Sequence, residues 1–416
     1  MFVDRPYIDS DYRSDLLHFY GRAFRPPPDT TERLLFASTD RMLGSSVIRP
    51  LPQMVGRTMM VPPAEETPYV SCLTTVPVHA FGHTWLIRGF PFTSQDGEYG
   101  VCAHAAMWSI ARYHHLRFRT DHLTTSAIIE AAGLRERADR TARSEGVSGP
   151  EIVRAFRGIG LPALLYDIAK IPPPESLDSV ARRYLDSGIP IGVLTRNHMK
   201  ILVGYGERAS GPLFYIVCDD NHSAYHRENP VAGSGVNAWT TLVIPQPGRT
   251  HVNGEAAQAR GEEAFEDRVR ANTGPSHLLS KWKAYSVKTY ASPCAAYVNG
   301  LKRRGVPDQI AQHHIYAPKG IWLWIVEFHD EAEPADTRVV GEIAIDATSL
   351  QLDPSPVIGN IDGWAYIWEA GDEEPVVVQA APAGARYRSA VPDRSERPAG
   401  PPPPAFKALD SRAAID

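Results

Sequence analysis

The chain has 416 residues, 43% of them hydrophobic and 22% charged, with a formal net charge of −5. That is an ordinary globular composition with ample core, at a length that suits roughly two to three domains. The acidic balance gives no footprint for nucleic acid or an anionic membrane surface, and the longest apolar run, Ile321 to Val326, is far too short to span a bilayer.

Residues 1 to about 65 are rich in Arg, Asp and Pro and read as an N-terminal extension. They carry a helical patch from Tyr12 to Phe24, followed by the turn-forming RPPPD. The opening MFVDRPYIDSDYRSD has no basic start and no apolar core, so it does not read as a secretory signal. Two β-like segments, YVSCLTTVPV and TWLIRGF, fill Tyr69 to Phe90.

Next comes QDGEYGVCAHAAMWSIARY, where a turn broken by Gly97 and Gly100 runs into an apolar helix. Ala103, Ala106, Met107, Ile110 and Ala111 recur at helical spacing, so the helix is largely buried with Cys102 at its tip. A helix N-terminus favours a thiolate, because its N–H groups are unpaired and the dipole is positive there. Further helices follow, one opened by the capping box Ser148-Gly-Pro-Glu151 and one over Pro174 to Ser187.

The stretch GIPIGVLTRNHMKILVGYG then predicts a strand over Ile189 to Thr195 and a second strand opened by His198. Leu213 to Asp220 reads as the next strand, paired antiparallel to the second. That pairing brings Asp219 or Asp220 to His198. Side chains alternate along a strand, so one aspartate faces the ring and the other faces solvent or caps the turn. Cys218 falls on the face opposite Asp219 and reads as a buried small residue.

Taken singly, each residue has an ordinary structural explanation. A free cysteine is commonly a small buried hydrophobe, and a lone histidine at a strand end is commonly a satisfied edge residue. Cysteine at a helix start, histidine on a strand and an acid on a later strand, in that chain order, are what nucleophilic thiol chemistry requires.

Tyr69 to Pro247 resembles the papain-like cysteine peptidases, closest to the bacteriocin-leader (double-glycine) peptidases and their bacterial relatives. The matching residues are Gln95, Cys102, Gly188 to Pro190, His198 with Gly204-Tyr205, and Val217-Cys218-Asp219-Asp220. Two positions depart from the pattern. Gln95 stands seven residues before Cys102, where the family has six, and Ala103 replaces the usual Trp or Gly. The resemblance implies an α+β fold with a helical half and an antiparallel β half. It also implies a Cys102–His198–Asp219 triad, with Gln95 as an oxyanion donor and Asp220 as the runner-up acid. A peptide or protein would be the substrate, with no cofactor and no metal.

Beyond Gln246, the charged stretch GEAAQARGEEAFEDRVRAN reads as a linker or an exposed helix. Helical signals at Ser292–Arg304 and Pro307–Ile315 precede the strands IWLWIVEF, RVVGEIAID, GWAYIWE and PVVVQ. The domains are therefore expected at 66–250 for the peptidase-like part and 275–390 for a small α+β domain. That second domain carries no catalytic constellation and is a candidate docking element for a protein partner. Residues 391–416 form a Pro-rich tail, expected to be extended or disordered.

Four cysteines (Cys72, Cys102, Cys218 and Cys294) without a CxxC argue against a disulfide framework or a zinc knuckle and suit a cytoplasmic protein. Asp219, Asp220, His222 and His226 are ligand types, but loop histidines are usually solvated. Two other functions stay open. One is a different Cys-His-Asp acyl-transfer enzyme, such as a transglutaminase, deamidase or acyltransferase. The other is an inactive papain-like binding module.

Overall fold

The computed structural model describes the chain apart from residues 22–25, 39–40, 53, 64–68, 96–101, 132–147, 207–212, 231–234, 271–283, 318, 351–353, 370–373, 383 and 392–416. The predicted Gly97–Gly100 turn and the Pro-rich tail lie outside the described residues. Within them are three antiparallel sheets and eight α-helices. The chain divides into two units: residues 1–178 with 188–248, and residues 179–187 with 249–397.

The first unit opens with strand β1 (Phe2–Tyr7), helix α1 (Ser10–Asp15), β2 (Thr31–Ala37), β3 (Met42–Ile48) and β4 (Val55–Met60). After β5 (Tyr69–Val70) come β6 (Thr74–Ala80) and β7 (His83–Phe92). Six of these form one sheet in the order β1-β2-β3-β4-β7-β6. The N-terminal residues are thus not an extension. They supply four of the strands against which β7 and β6 pair, around a core of Leu35, Met42, Met59, Val78 and Ile87. The predicted long helix is α1 followed by a π-turn over Leu16–Tyr20.

Helices α2 (Cys102–Phe118), α3 (Thr125–Ala131) and α4 (Gly149–Gly158) come next. At the start of α4, the Glu151 carboxylate accepts from the backbone N–H of Ser148, as the capping motif predicts, and also from the Ser148 hydroxyl. Then follow β8 (Ala163–Asp167), helix α5 (Leu177–Asp186), β9 (Ile191–Leu194), β10 (Met199–Gly206), β11 (Phe214–Cys218), β12 (His226–Glu228) and β13 (Thr241–Pro245). The second sheet runs β12-β11-β10-β9-β13-β8, with β5 also on β10. Every residue of β10 is buried, so apart from the ion-paired Lys200 it reads as an apolar run rather than an alternating strand.

In the second unit, α6 (Gly254–Arg270) precedes β14 (Ser286–Pro293), α7 (Cys294–Gly300), α8 (Asp308–Tyr316), β15 (Trp322–His329), β16 (Val339–Asp346), β17 (Pro356–Ile361), β18 (Trp364–Ile367) and β19 (Val376–Gln379). The six strands form a meander in chain order, with β15 wholly buried and β16 buried up to its last residue, Asp346. The unit begins at 249 rather than 275, because the charged stretch is a packed helix and not a linker. Its Ala257, Gly261, Ala264, Phe265 and Val269 are buried, and Phe265 stacks on Phe328 with ring centroids 3.8 Å apart. From Ser179 onward α5 also belongs to this unit, through Arg183–Glu255 at 2.7 Å and an edge-on contact of Tyr184 with Trp324.

Candidate active site

His198 is placed by two hairpins. Between β9 and β10 the chain reverses in four residues, and the Thr195 N–H donates to the His198 carbonyl at 2.9 Å. Between β10 and β11 the register pairs Ile201 with Cys218. Continuing it sets Asp219 across from Lys200, two residues from His198. The His198 Nε2–H donates to Asp219 Oδ1 at 2.7 Å.

Asp219 has no exposed surface on its side chain, and it is held from several directions. The Asn221 N–H donates to the same Oδ1 at 2.9 Å, His222 Nδ1 donates to Oδ2 at 3.0 Å, and Lys200 Nζ lies 3.6 Å from Oδ2. Burial opposes the charge on Asp219, but the hydrogen bond and charge of His198, with the hydrogen bonds from Asn221 and His222, outweigh it and hold the carboxyl well below the ordinary carboxylate range.

Cys102 is the first residue of α2 and is half-buried. With His198 Nε2 taken by Asp219, Nδ1 is the nitrogen left for the thiol. Burial works against a charged imidazole here. The hydrogen bonds to Asp219 and Cys102, and the charges on both, overcome it and push His198 up to about 10. The ring therefore keeps both protons at neutral pH, oriented by the acid on one side and facing the thiol on the other.

Asp220 departs from the expectation of a solvent-facing side chain. Strand β11 ends at Cys218, so alternation stops before it, and residues 219–223 form a tight turn with the His222 N–H on the Asp219 carbonyl. The Asp220 side chain is only 5% exposed, and its Oδ1 lies 3.4 Å from His198 Nε2. Burial, the dominant influence, pushes its carboxyl above the ordinary range. Cys218 is buried, as expected, and its thiol is pushed up to about 12 by that burial.

Gln95 reaches the same place from the end of β7. Its Nε2 donates to Asn221 Oδ1 at 3.3 Å, while Asn221 Nδ2 packs against the imidazole, 3.5 and 3.4 Å from its two nitrogens. The Gln95 backbone is clamped by the buried Arg49, whose Nη2 donates to the Ser94 carbonyl at 3.0 Å and the Gln95 carbonyl at 3.2 Å. Sequence reasoning missed Arg49 and Asn221. Nothing in the sequence marks Arg49, because its partners are backbone carbonyls, whereas the polar run Asp219-Asp220-Asn221-His222 does flag a turn at a strand end.

Cys102 and His198 open together on a cleft of about 1080 Å³, with Gln95 and Asn221 near them and Leu194, Arg196 and Thr240 along the wall. Two ligand-type sets share Asp219, namely His198 with Asp220 and His226 with Glu228. In the second set the oxygens are committed to internal donors, since Glu228 accepts from Lys200, His226 and Trp239, whereas in the first Asp220 Oδ2 has no hydrogen-bond partner among the described residues. The Lys200 ammonium between the two carboxylates further opposes a divalent cation. No helix among the described residues is long and apolar enough to cross a membrane.

No family model and no curated protein matches the chain. Among solved structures, UfSP from C. elegans matches with 16% identity and a TM-score of 0.26, over 38% of this chain and 33% of that one. A match at that level carries no argument about fold or activity, and the narrower likeness to bacteriocin-leader peptidases finds no support in these comparisons.

Proposed function

We propose that the chain is a papain-like thiol hydrolase that cleaves peptide or isopeptide amide bonds through Cys102, His198 and Asp219. The observation that carries this reading is the ordering of the imidazole: Nε2 on a fully buried carboxylate at 2.7 Å, and a hydrogen bond between the ring and the thiol at the start of a helix. A histidine serving only the fold would not need a thiol and an acid on opposite nitrogens at the mouth of an open cleft.

In this mechanism Cys102 Sγ attacks the carbonyl carbon as a thiolate beside the imidazolium. The proton on His198 Nδ1 passes to the departing amine as the C–N bond breaks, leaving a thioester on Cys102. His198, now neutral, takes a proton from water as the water attacks the thioester, which releases the acid product and returns the thiolate beside the imidazolium. Asp219 keeps the ring in register and stabilises its charge throughout. The Gln95 amide has two N–H groups, one engaged by Asn221 and the other available to the oxyanion beside the Cys102 backbone N–H. Losing one such donor typically costs about 2.7–4 kcal/mol in the transition state.

The test is a peptide- or isopeptide-bond cleavage assay on the wild type and on Cys102→Ala. Cleavage by the wild type that the variant abolishes supports the proposal. Ammonia release without cleavage would move the assignment to a deamidase, and equal activity in both proteins would refute it.

A further inference from the structure

Gln95 is the proposed oxyanion donor, yet it lies outside any strand. β7 ends at Phe92, and its pairing with β4 stops where Thr58 faces Phe92. Beyond that point the Ser94 N–H still donates to the Val55 carbonyl at 3.1 Å. Arg49 takes over where the ladder ends. It directly follows β3, and its own N–H donates to the Met54 carbonyl at 2.7 Å, which closes the turn between β3 and β4.

From that turn the buried Arg49 side chain runs to the end of β7. Its Nη2 lies 2.9 Å from the Val55 carbonyl, 3.0 Å from the Ser94 carbonyl and 3.2 Å from the Gln95 carbonyl. A Cβ on Gly56 would stand 3.1 Å from both Cγ and Cδ of Arg49, so the glycine leaves the stem its path. On the other side, the Gln95 N–H donates toward the Asp220 carboxyl, in the turn after β11. The Gln95 backbone is therefore held at both polar groups by side chains, one beside each sheet of the first unit.

Burying a guanidinium is costly, and backbone N–H groups would satisfy the same carbonyls without any buried charge. What the rigid guanidinium adds is direction, since it fixes several acceptors at once. Direction matters at Gln95. An oxyanion donor works at about 2.7–3.1 Å from the developing charge, and a misplacement of about 1 Å costs roughly 10²-fold in rate.

We infer that Arg49 is a positioning residue for the oxyanion donor, acting on the reaction through Gln95 and so making the N-terminal sheet a working part of the active site. This role rests on the thiol-hydrolase reading, in which Gln95 receives the oxyanion.

The test is a double-mutant cycle on the full chain. A random peptide library is digested, and the peptide that the wild type cuts fastest carries the kinetics. Arg49→Met should fold as the wild type does by circular dichroism and lower kcat by about 10²-fold or more, with KM within about threefold. In a Gln95→Ala background the same substitution should change kcat by less than about threefold. Iodoacetamide labelling of Cys102 should be unchanged in Arg49→Met, because the thiol and the imidazole keep their places. Arg49→Lys, which keeps the charge but loses the fork, enters the same cycle if Arg49→Met does not fold. A folded Arg49 variant with the wild-type kcat, or an equal loss in both backgrounds, would overturn the inference and leave the thiol reading intact. Cleavage that survives Cys102→Ala, or no cleavage at all, sinks the thiol reading itself, and the positioning role falls with it.

Discussion

Asp219 fixes the electrostatics of the candidate site, and its neighbour provides the control. Replacing Asp219 by Asn keeps the shape but removes the countercharge and the tautomer control. Turnover on an amide substrate should fall by roughly two to four orders of magnitude. Asp220→Asn should matter little, because burial already biases that carboxyl toward its neutral form. A dead Asp220→Asn beside an active Asp219→Asn would transfer the role of third member. The same pair predicts a pH signature in stability. His198 is raised from its ordinary 6.5 to about 10. Its contribution is therefore complete below 6.5 and disappears as pH climbs through about 10. Asp219 is depressed, so its contribution holds above its ordinary 3.8 and is lost as pH falls through its lowered value. Denaturation of the wild type and Asp219→Asn should thus differ most between those ordinary values, and a pH-independent difference would contradict the ion pair. Cys102, His198, Asp219 and Gln95 were readable from sequence because each sits at an element boundary. The place of Asp220 was not, since it depends on where β11 stops.

Helix α6 shows why element assignment fails when a buried face is made of small residues. Its sequence looks solvated, yet Ala257, Gly261 and Ala264 are what allow the helix to lie close to the sheet. A Cβ on Gly261 would come within 2.6 to 3.0 Å of all three outer carbons of Val326. Val326 is β-branched and stiff at χ1, so it cannot swing away. Gly261→Ala should therefore destabilise the protein by roughly 1–3 kcal/mol, although in an exposed helix the same change would stabilise by roughly 1 kcal/mol. Chemical denaturation reads the sign directly, and a stabilised variant would show that α6 stands off the sheet. The strands around His198 were legible because β9, β10 and β11 are apolar runs bounded by turn residues. β8 was not, because its five residues are only partly buried or exposed and it pairs with β13 from far along the chain.

At the scale of the whole molecule, sequence reading found the break near residue 250 but misjudged what lies on either side. The first 65 residues lacked a visible core because their strands complete a sheet whose other members, β6 and β7, come later. Helix α5 crosses the break in the opposite sense, with residues 179–187 grouped with 249–397. Residues 249–397 expressed alone would leave Glu255 without Arg183, Trp324 without Tyr184 and the Ala291 N–H without the Ser187 hydroxyl. That fragment should melt with lower cooperativity than one running from 179 to 397. Equal melting of the two would show that α5 is dispensable to the second unit.

The central claim is that Cys102 and His198 form one nucleophilic unit, and it can be checked before any substrate is known. The rates at which the four thiols are alkylated by limiting iodoacetamide at about pH 6 can be followed by mass spectrometry in the wild type and in His198→Ala. Cys72 and Cys218 are buried, and burial also pushes the Cys294 thiol up. Cys102 should react first by a wide margin, and should lose that lead when His198 is removed. Labelling of Cys294 ahead of Cys102, or a Cys102 rate unchanged by His198→Ala, would contradict the account.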